Sequence, residues 1–245
     1  MIGGLEERLG VRVVEHGRID STMAAALSDP GSAPCVHLAE SQTAGRGRHG
    51  RSWESPPGNL YATIRWVEGV PAFPPGLLGA VQVEWMRAIR AAGGPDVRCK
   101  WPNDGWLNGA KWAGLIAVRP AERPGEIHVG LGANLVAAPA GVEEPAATDL
   151  RSGWPGWPGT AAVTESLLIA ALEVLQGGSE GIAPRLADWA RYDALVPGEA
   201  LAVERAGRRR TGTYLGIDPD GHLRLGEESG EVRLASGQVL RVRAL

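Results

Sequence analysis

Residues 41–53 read SQTAGRGRHGRSW, a stretch that combines several glycines and arginines. Gly45 to Gly50 matches the letters of the dinucleotide-binding pattern G-x-G-x-x-G. That pattern requires a helix at its third glycine, because the helix N-terminus supplies amides for the pyrophosphate. Pro56 and Pro57 follow instead and argue against such a helix. Three interpretations remain: an arginine-rich RNA-binding segment, a solvated loop without function, and a mobile cover that closes over a small anionic ligand.

The stretch lies between two predicted strands. Residues 34–39 are apolar and β-leaning, and residues 59–66 alternate between apolar and polar side chains. Residues 41–58 are therefore predicted to form a long loop between strands. We expect this loop to be disordered until a ligand binds, with its glycines serving as hinges and close-approach positions.

Helical and strand patterns alternate through the first 195 residues and predict a mixed α/β (α+β) domain. A helix that follows Asp20-Ser21 is predicted to be capped by one of these two residues. Asn108-Gly109 predicts a type I′ hairpin turn. The predicted strands are 11–16, 97–101, 111–119 and 126–136, the predicted helices are 23–27, 74–92, 160–176 and 182–192, and 137–159 is predicted to be loop.

The pattern changes at Val196-Pro197-Gly198, after which only short alternating strands and turns occur. The sequence therefore predicts an α/β domain over 1–195 and a small barrel-like β domain over 196–245.

Composition restricts the classes of function. The formal net charge of −3 over 245 residues provides no general basic field for nucleic acid. No apolar run reaches the length of a membrane span, so we predict a soluble, cytoplasmic protein. Cys35 and Cys99 lie in apolar surroundings and are predicted to be buried free thiols. Lys100 and Lys111 are the only lysines among 25 basic residues, which hints that an ammonium group is needed in this segment.

Several motifs in fixed order resemble those of the biotin protein ligases. The resemblance extends over residues 20–135, and the GTYLGIDPDGHL segment at 212–223 resembles the small terminal β domain of that family. In chain order the motifs are Asp20-Ser21-Thr22, Gln42-Thr43-Ala44-Gly45-Arg46-Gly47-Arg48 with Trp53 and Ser55, Gly58-Asn59-Leu60-Tyr61, Lys100-Trp101-Pro102-Asn103-Asp104, Lys111-Trp112-Ala113-Gly114-Leu115-Ile116 and Gly130-Leu131-Gly132-Ala133-Asn134-Leu135.

The resemblance implies a mixed-sheet catalytic domain followed by an SH3-like β barrel. It also implies a reaction in two steps: ATP activates biotin to biotinyl-5′-AMP, and the biotinyl group then passes to one lysine of a biotin carboxyl carrier protein. Mg²⁺ is expected with ATP, held mainly by phosphate oxygens and water, while the protein ligands of any metal stay unknown. Bringing two anions together makes positioning and charge neutralisation the main requirements.

The resemblance also assigns roles to individual residues. Lys111, Arg48 and Asp104 are the catalytic candidates: Lys111 for the biotin carboxylate and bridging phosphate oxygens, Arg48 for closing the loop, and Asp104 for orienting the carrier lysine. The residues expected to contact biotin are Ser21, Thr22, Met23, Gln42, Gly45, Arg46, Gly47, Arg48, Lys111 and Gly114. The residues expected to lie toward ATP or the adenylate are Arg48, Arg51, Trp53, Lys100, Asn103 and Asn134.

The sequence departs from the family at two positions. Met23 stands where the family usually has Asn, so it is expected only as an apolar neighbour of biotin, and Ala133 replaces the usual Ile. The motifs begin about twenty residues from the start of the sequence. We therefore predict a ligase that is not a repressor, a monomer or homodimer without a DNA or membrane partner. The alternatives are a lipoate-type acyl ligase and a biotin-binding protein without transfer activity.

Overall fold

The protein is described by a computed structural model that covers residues 5–67, 76–139 and 146–241. These residues form two β-sheets and six short to medium helices. The strands are β1 (Arg12–Ile19), β2 (Cys35–Gln42), β3 (Leu60–Val67), β4 (Arg98–Lys100), β5 (Asp104–Leu107), β6 (Ala110–Val118), β7 (Glu126–Ala133), β8 (Ala200–Arg205), β9 (Arg208–Ile217), β10 (Leu223–Glu227), β11 (Gly230–Leu234) and β12 (Gln238–Arg241). The helices are α1 (Leu5–Leu9), α2 (Thr22–Ser28), α3 (Leu77–Ala91), α4 (Thr160–Gln176), α5 (Ile182–Leu186) and α6 (Trp189–Tyr192).

The first seven strands form one mixed sheet in the order β1-β2-β3-β7-β6-β5-β4. Strands β1 and β2 are parallel, and α2 provides the crossover between them. The other neighbours are antiparallel. The mixed α/β fold with a mixed sheet, predicted from the sequence, is confirmed.

One face of this sheet is apolar and belongs to the main core. Ile64 of β3 and Val129 of β7 are completely buried there, together with Trp85 of α3 and Leu167 of α4. Trp85 also donates from Nε1 to the Leu167 carbonyl at 2.8 Å, so the two helices are joined over the sheet. This face stabilises the fold through apolar burial.

The opposite face carries polar side chains and glycines. Because side chains alternate along a strand, Thr63 and Arg65 of β3 point away from Ile64. Their partners on β7 in the sheet register are Gly130 and His128. Helix α2 packs on this face against β2, β3 and β7.

Several predicted boundaries agree with the structure. Helix α4 has the predicted bounds, and α3 ends one residue before the predicted end, whereas the predicted start at Pro74 lies outside the described residues. Ser21 is the N-cap of α2, since its Oγ accepts from the Ala24 amide at 3.4 Å. Cys35 and Cys99 are free and buried, as predicted.

In two segments the structure contains more helices or strands than the sequence pattern predicts. The hairpin before the Asn108-Gly109 turn contains an extra strand, β5, because the chain reverses first at residues 101–103. The turn itself has positive φ at both residues, 50° and 80°, as a type I′ turn requires. The predicted helix 182–192 is two short helices, α5 and α6, separated near Asp188, whose carboxylate binds Arg87 of α3.

Strands β8 to β12 form a second, antiparallel sheet in the linear order β11-β10-β9-β8-β12. Pairing among its described residues leaves β11 and β12 at the two edges. Side-chain hydrogen bonds join this sheet and its turns to the first part of the chain, among them the following two. Trp101 Nε1 donates to the Gly221 carbonyl at 2.9 Å, and the Tyr214 hydroxyl donates to Asp193.

Within the described ranges no single helix is long and apolar enough to cross a membrane. One bent pair, Thr160–Gln176 with Ser179–Leu186 at 115°, meets the length and composition requirement together.

Candidate functional site

Two glycines on neighbouring strands form a shallow area on the polar face of the large sheet, which we call the glycine floor. Gly114 of β6 and Gly132 of β7 are register partners. The Trp53 indole lies across both: a Cβ added at Gly114 would be 3.0 Å from Trp53 Cζ3, and one at Gly132 would be 2.8 Å from Trp53 Cε2. No described group accepts a hydrogen bond from the buried Trp53 Nε1. The two glycines therefore provide the space that an aromatic ring fills here.

The N-terminal end of α2 meets the end of β2 beside this floor. Gln42 Oε1 accepts from the Thr22 amide at 2.9 Å and from the Thr22 hydroxyl at 3.2 Å. Gln42 Nε2 donates to Ser55 Oγ at 3.0 Å, and Thr63 Oγ1 lies 3.0 Å from Thr22 Oγ1. Four predicted or motif residues, Ser21, Thr22, Gln42 and Ser55, are thus brought together with Thr63.

Residues 41–42 complete β2, and the rest of the predicted loop, 43–58, forms a folded, irregular hairpin. Trp53 N donates to the Gly45 carbonyl at 2.8 Å, and Gly47 N donates to the Arg51 carbonyl at 2.7 Å. A short 3-10 turn at Arg48–Gly50 closes it. In the structure this segment has defined internal hydrogen bonds, so the disorder expected before ligand binding remains a prediction about the protein in solution.

The arginines of the hairpin have different environments. Arg46 and Arg51 are exposed, whereas Arg48 is half-buried and turned toward β5. Arg48 Nη1 donates to Asn103 Oδ1 at 2.7 Å and to the Gly237 carbonyl of the second sheet at 3.4 Å. Burial lowers the pKa of Arg48 from its usual value, an effect opposed by the nearby Asp104 carboxylate. Because a guanidinium stays protonated in proteins, Arg48 brings a positive charge to the site.

Lys111 and Asp104 form an ion pair at the edge of the floor. Lys111 Nζ lies 2.6 Å from Asp104 Oδ1 and 5.2 Å from the centre of the Trp53 ring. Lys111 Nζ is also 3.2 Å from the position that a Gly114 Cβ would occupy. The ammonium group therefore stands above the glycine floor beside a carboxylate. Lys100, the other lysine, lies over the Trp106 ring at 4.0 Å from its centre.

Asn103 and Asn134 hold backbone around the floor. Asn103 Nδ2 donates to the Leu115 carbonyl at 2.6 Å, and Asn134 Nδ2 donates to the Thr148 carbonyl at 3.1 Å. Asn134 Oδ1 is buried and has no hydrogen-bond donor among the described residues. Met23 is buried with its Cε against Gly130. It therefore packs between α2 and the sheet.

A cavity of about 580 Å³ lies between the hairpin and the chain after β7. Its lining includes Gln42, Trp53, Ser55 and Ala137. It is next to the glycine floor, and its walls come from segments that are distant in sequence. The described lining comes from the end of β2, the hairpin and the chain after β7, and the predicted residues of α2, β5 and β6 do not line this cavity.

The possible metal ligands lie elsewhere. Among the described residues, two groups of three could hold an ion: Asp29 with Cys35 and His37, and Asp218 with Asp220 and His222. Neither group contains a candidate site residue. In the site itself Asp104 is occupied by Lys111, so the donor set fits Mg²⁺ held through a phosphate ligand rather than by a protein cage.

Sequence reasoning missed the structural role of Asn59. Its Oδ1 accepts from the amides of Leu135, Val136 and Ala137 at 2.8 to 3.2 Å, and its Nδ2 donates to Tyr61 Oη at 2.9 Å. Asn59 thereby fixes the chain that leaves β7 beside the cavity. Its place before a strand gave no signal of this, because the contact joins residues more than seventy positions apart.

Comparison with known proteins places these features in a family. The model of the biotin/lipoate A/B protein ligase family matches residues 17–134. The chain is 36% identical to the biotin–[acetyl-CoA-carboxylase] ligase of Paracoccus denitrificans, with 91% of this chain and 97% of that protein covered. It is 32% identical to the bifunctional ligase/repressor BirA of Escherichia coli, where the match covers 84% of this chain and 66% of that longer protein.

Solved structures show the same fold. A biotin protein ligase from Aquifex aeolicus in complex with biotin and ATP superposes with a TM-score of 0.80 at 22% identity, covering 94% of this chain and 99% of that one. The sequence match to the Paracoccus denitrificans ligase, over nearly the full length of both proteins, decides the family. The chain belongs to the biotin protein ligases of the biotin/lipoate A/B protein ligase family.

Proposed function

We propose that the protein is an ATP-dependent, AMP-forming biotin–[biotin carboxyl-carrier protein] ligase. The observation that carries this proposal is the 36% identity over 97% of a biotin–[acetyl-CoA-carboxylase] ligase. The geometry supports it, because Lys111 Nζ lies 5.2 Å from the centre of the Trp53 ring, which lines the open cavity beside the hairpin. Biotin carboxyl carrier proteins or carrier domains of biotin-dependent carboxylases are the proposed partners.

In the first step a biotin carboxylate oxygen forms a bond to the α-phosphorus of ATP, and pyrophosphate leaves. Lys111 would bind the carboxylate and then the bridging oxygen of the mixed anhydride, where its charge offsets the charge that builds up. To do so it must exchange its 2.6 Å contact with Asp104 for the ligand. The hydroxyls of Ser21 and Thr22 and the Gln42 amide would bind the polar end of biotin.

The hairpin would retain the adenylate. Arg46, Gly47 and Arg48 are proposed to close over it, and the Arg48 contacts with Asn103 and Gly237 show one arrangement in which the arginine is turned inward. Arg51, Trp53, Lys100, Asn103 and Asn134 are proposed to face the nucleotide. Mg²⁺, held by phosphate oxygens and water, would neutralise the triphosphate when bound.

In the second step the amine of the carrier lysine attacks the biotinyl carbonyl carbon, and AMP leaves. Asp104 is proposed to accept a hydrogen bond from that amine and orient it. This role becomes available when Lys111 has moved to the ligand, because the carboxylate is then free of the ion pair.

Three features beyond the reaction stay proposals. We infer that β8 to β12 form a domain of the SH3-like type, that the protein works in the cytoplasm, and that it is a monomer or homodimer. A function as a ligase without a repressor role also stays a prediction, to be tested by the absence of a mobility shift with promoter DNA.

The function is tested by incubating purified protein with ATP, Mg²⁺, biotin and an apo carrier domain, followed by mass spectrometry. The carrier is expected to gain one biotinyl group on one lysine, and a carrier with that lysine changed to arginine should gain none. Transfer of lipoate instead would support the lipoate-type alternative. Biotin binding without pyrophosphate exchange or transfer would identify a binding protein and overturn the proposal.

A further inference from the structure

A cluster of charged residues lies under the C-terminal end of α2, outside the site described above. Arg65 of β3 is fully buried, and Asp29 follows α2 directly. Arg65 Nη1 lies 3.1 Å from Asp29 Oδ1 and also donates to the Asp29 carbonyl at 3.2 Å. Its Nε and Nη2 donate to the Ala33 carbonyl at 3.2 and 2.7 Å. One guanidinium therefore holds both ends of the turn that joins α2 to β2.

The turn is built closely around this guanidinium. A Cβ at Gly31 would lie 2.9 Å from both Arg65 Nη2 and Asp29 Oδ1. Gly31 N donates to Asp29 Oδ1 at 2.7 Å, and Arg12 donates to Asp29 Oδ2. These donors stabilise the charged carboxylate and lower the pKa of Asp29 well below its usual value. The same donors therefore favour the ionised form of Asp29, which is the form that pairs with Arg65.

A second arginine approaches the same end of α2 from the turn between β6 and β7. Arg123 donates to the Leu27 carbonyl and, from Nη1, to the Asp29 carbonyl at 3.1 Å. Its Nη1 is 3.3 Å from Glu126 Oε2, and Glu126 also contacts His128 at 2.9 Å. Carbonyl groups at a helix C-terminus lack helical partners, so the two arginines supply the donors that they need.

The other end of α2 is held by the same strand. Thr63, two residues before Arg65 and on the same face of β3, contacts the Thr22 hydroxyl at 3.0 Å. Helix α2 has seven residues and is about 10 Å long, too short to be stable alone. Its position is therefore set by its end attachments. A shift of the C-terminal end would move Ser21 and Thr22, since a short helix moves as a rigid body.

We infer that Arg65 and Arg123 are positioning residues for biotin: by fixing the C-terminal end of α2 they hold Ser21 and Thr22 at the binding site. The inference rests on the proposed function for the identity of the ligand. It concerns residues that do not touch the site, and it assigns a purpose to an otherwise unexplained buried charge.

The test compares Arg65→Met and Arg123→Met with Arg87→Met. Arg87 pairs with Glu84 and Asp188 beside α3, away from α2, so its variant controls for the loss of an ion pair. Arg65→Met and Arg123→Met are expected to raise the dissociation constant of biotin about tenfold, while the KM for ATP stays within about twofold, as for the loss of one or two aligned hydrogen bonds. Arg87→Met should change neither value. If Arg65→Met does not fold, the partly exposed Arg123 provides the measurement.

Hydrogen exchange provides a readout that needs no ligand. The amides of Thr22 and Ala24, bonded to Gln42 and Ser21, should exchange faster in the two variants than in Arg87→Met at equal global stability. Unchanged exchange at these amides, or equal effects on biotin and ATP, would overturn the inference. A wild-type protein that does not bind biotin would refute the proposed function alone, and the exchange data would still decide whether the arginines position α2.

Discussion

The two faces of the seven-stranded sheet are built from neighbouring residues but by different chemistry. On one face Ile64, Val129 and Leu115 pack under α3 and α4 and exclude water. On the other, Thr63 and Arg65 bind α2 through hydrogen bonds and an ion pair, and glycines leave room for the Trp53 ring and the Met23 side chain. The apolar face needs only volume and patterning, whereas the polar face depends on individual donors and acceptors.

Because the two faces use different kinds of contact, substitutions on one face should change mainly stability and substitutions on the other mainly ligand binding. Apolar contacts are numerous and do not depend on direction, so their loss lowers the free energy of unfolding of the whole fold. Contacts on the polar face are few and directional, so their loss should reduce ligand affinity more than it reduces stability. The most direct comparison uses consecutive residues of β3, one on each face.

Ile64→Ala and Thr63→Val are expected to act on different quantities. Ile64→Ala leaves a cavity in the core and should lower the free energy of unfolding by about 2–5 kcal/mol. Thr63→Val keeps the shape and removes one hydrogen bond to Thr22, so it should cost about 1 kcal/mol while weakening biotin binding. Urea unfolding and calorimetric titration measure the two effects. Equal losses of stability, with unchanged biotin affinity in Thr63→Val, would remove the functional distinction between the faces.

The apolar face could be predicted from the sequence, and much of the polar face could not. Alternation in β3 and helical spacing in α4 report burial directly, because each depends on a local period. The floor residues Gly114 and Gly132 lie within recognisable motifs. The Arg65–Asp29 pair gave no signal, since an arginine in an alternating strand reads as a solvent-facing residue and its partner is 36 positions away. Arg48 and Gly237 are 189 positions apart, so their contact likewise follows only from the fold.

Lys111→Ala should produce the largest effect on the chemistry of the polar face. Loss of the ammonium removes the charge proposed to stabilise the carboxylate and the bridging oxygen during adenylyl transfer, which typically costs about 10²- to 10³-fold in rate. Biotin-dependent exchange of pyrophosphate into ATP measures adenylate formation, and transfer from supplied biotinyl-AMP should fall less. Lys111→Arg keeps the charge and alters its position, so an intermediate rate is expected. Nearly full exchange activity in Lys111→Ala would show that the ion pair with Asp104 is structural only.

Arg48→Ala should have a smaller and different effect, because Arg48 is proposed to retain the adenylate rather than form it. Removing its contacts with Asn103 and Gly237 should speed release of biotinyl-AMP about tenfold, which is about 1.4 kcal/mol. Rapid separation of free from bound adenylate measures the release. Arg208→Ala, at an exposed position of β9, is the matched control. If the adenylate is released at the wild-type rate, the hairpin does not depend on Arg48 for closure.

The smallest expected effect concerns the acid sensitivity of the polar face. Burial lowers the pKa of His37 to about 4, although Asp29 favours its protonated form and His16 and Arg12 oppose it. Because the His37 side chain binds a proton near pH 6.5 in the unfolded chain and only near pH 4 in the folded protein, stability falls as the pH drops from about 6.5 to about 4.

The substitution His37→Gln removes this titrating group. His16 and His128, whose pKa values are also lowered, remain in the variant. Between pH 7 and about pH 5.5 the wild type should therefore lose about 1 kcal/mol more than His37→Gln in urea unfolding. Parallel stability curves for the two proteins would show that His37 is protonated as easily in the fold as in the unfolded chain, and that the polar face admits water beside Asp29.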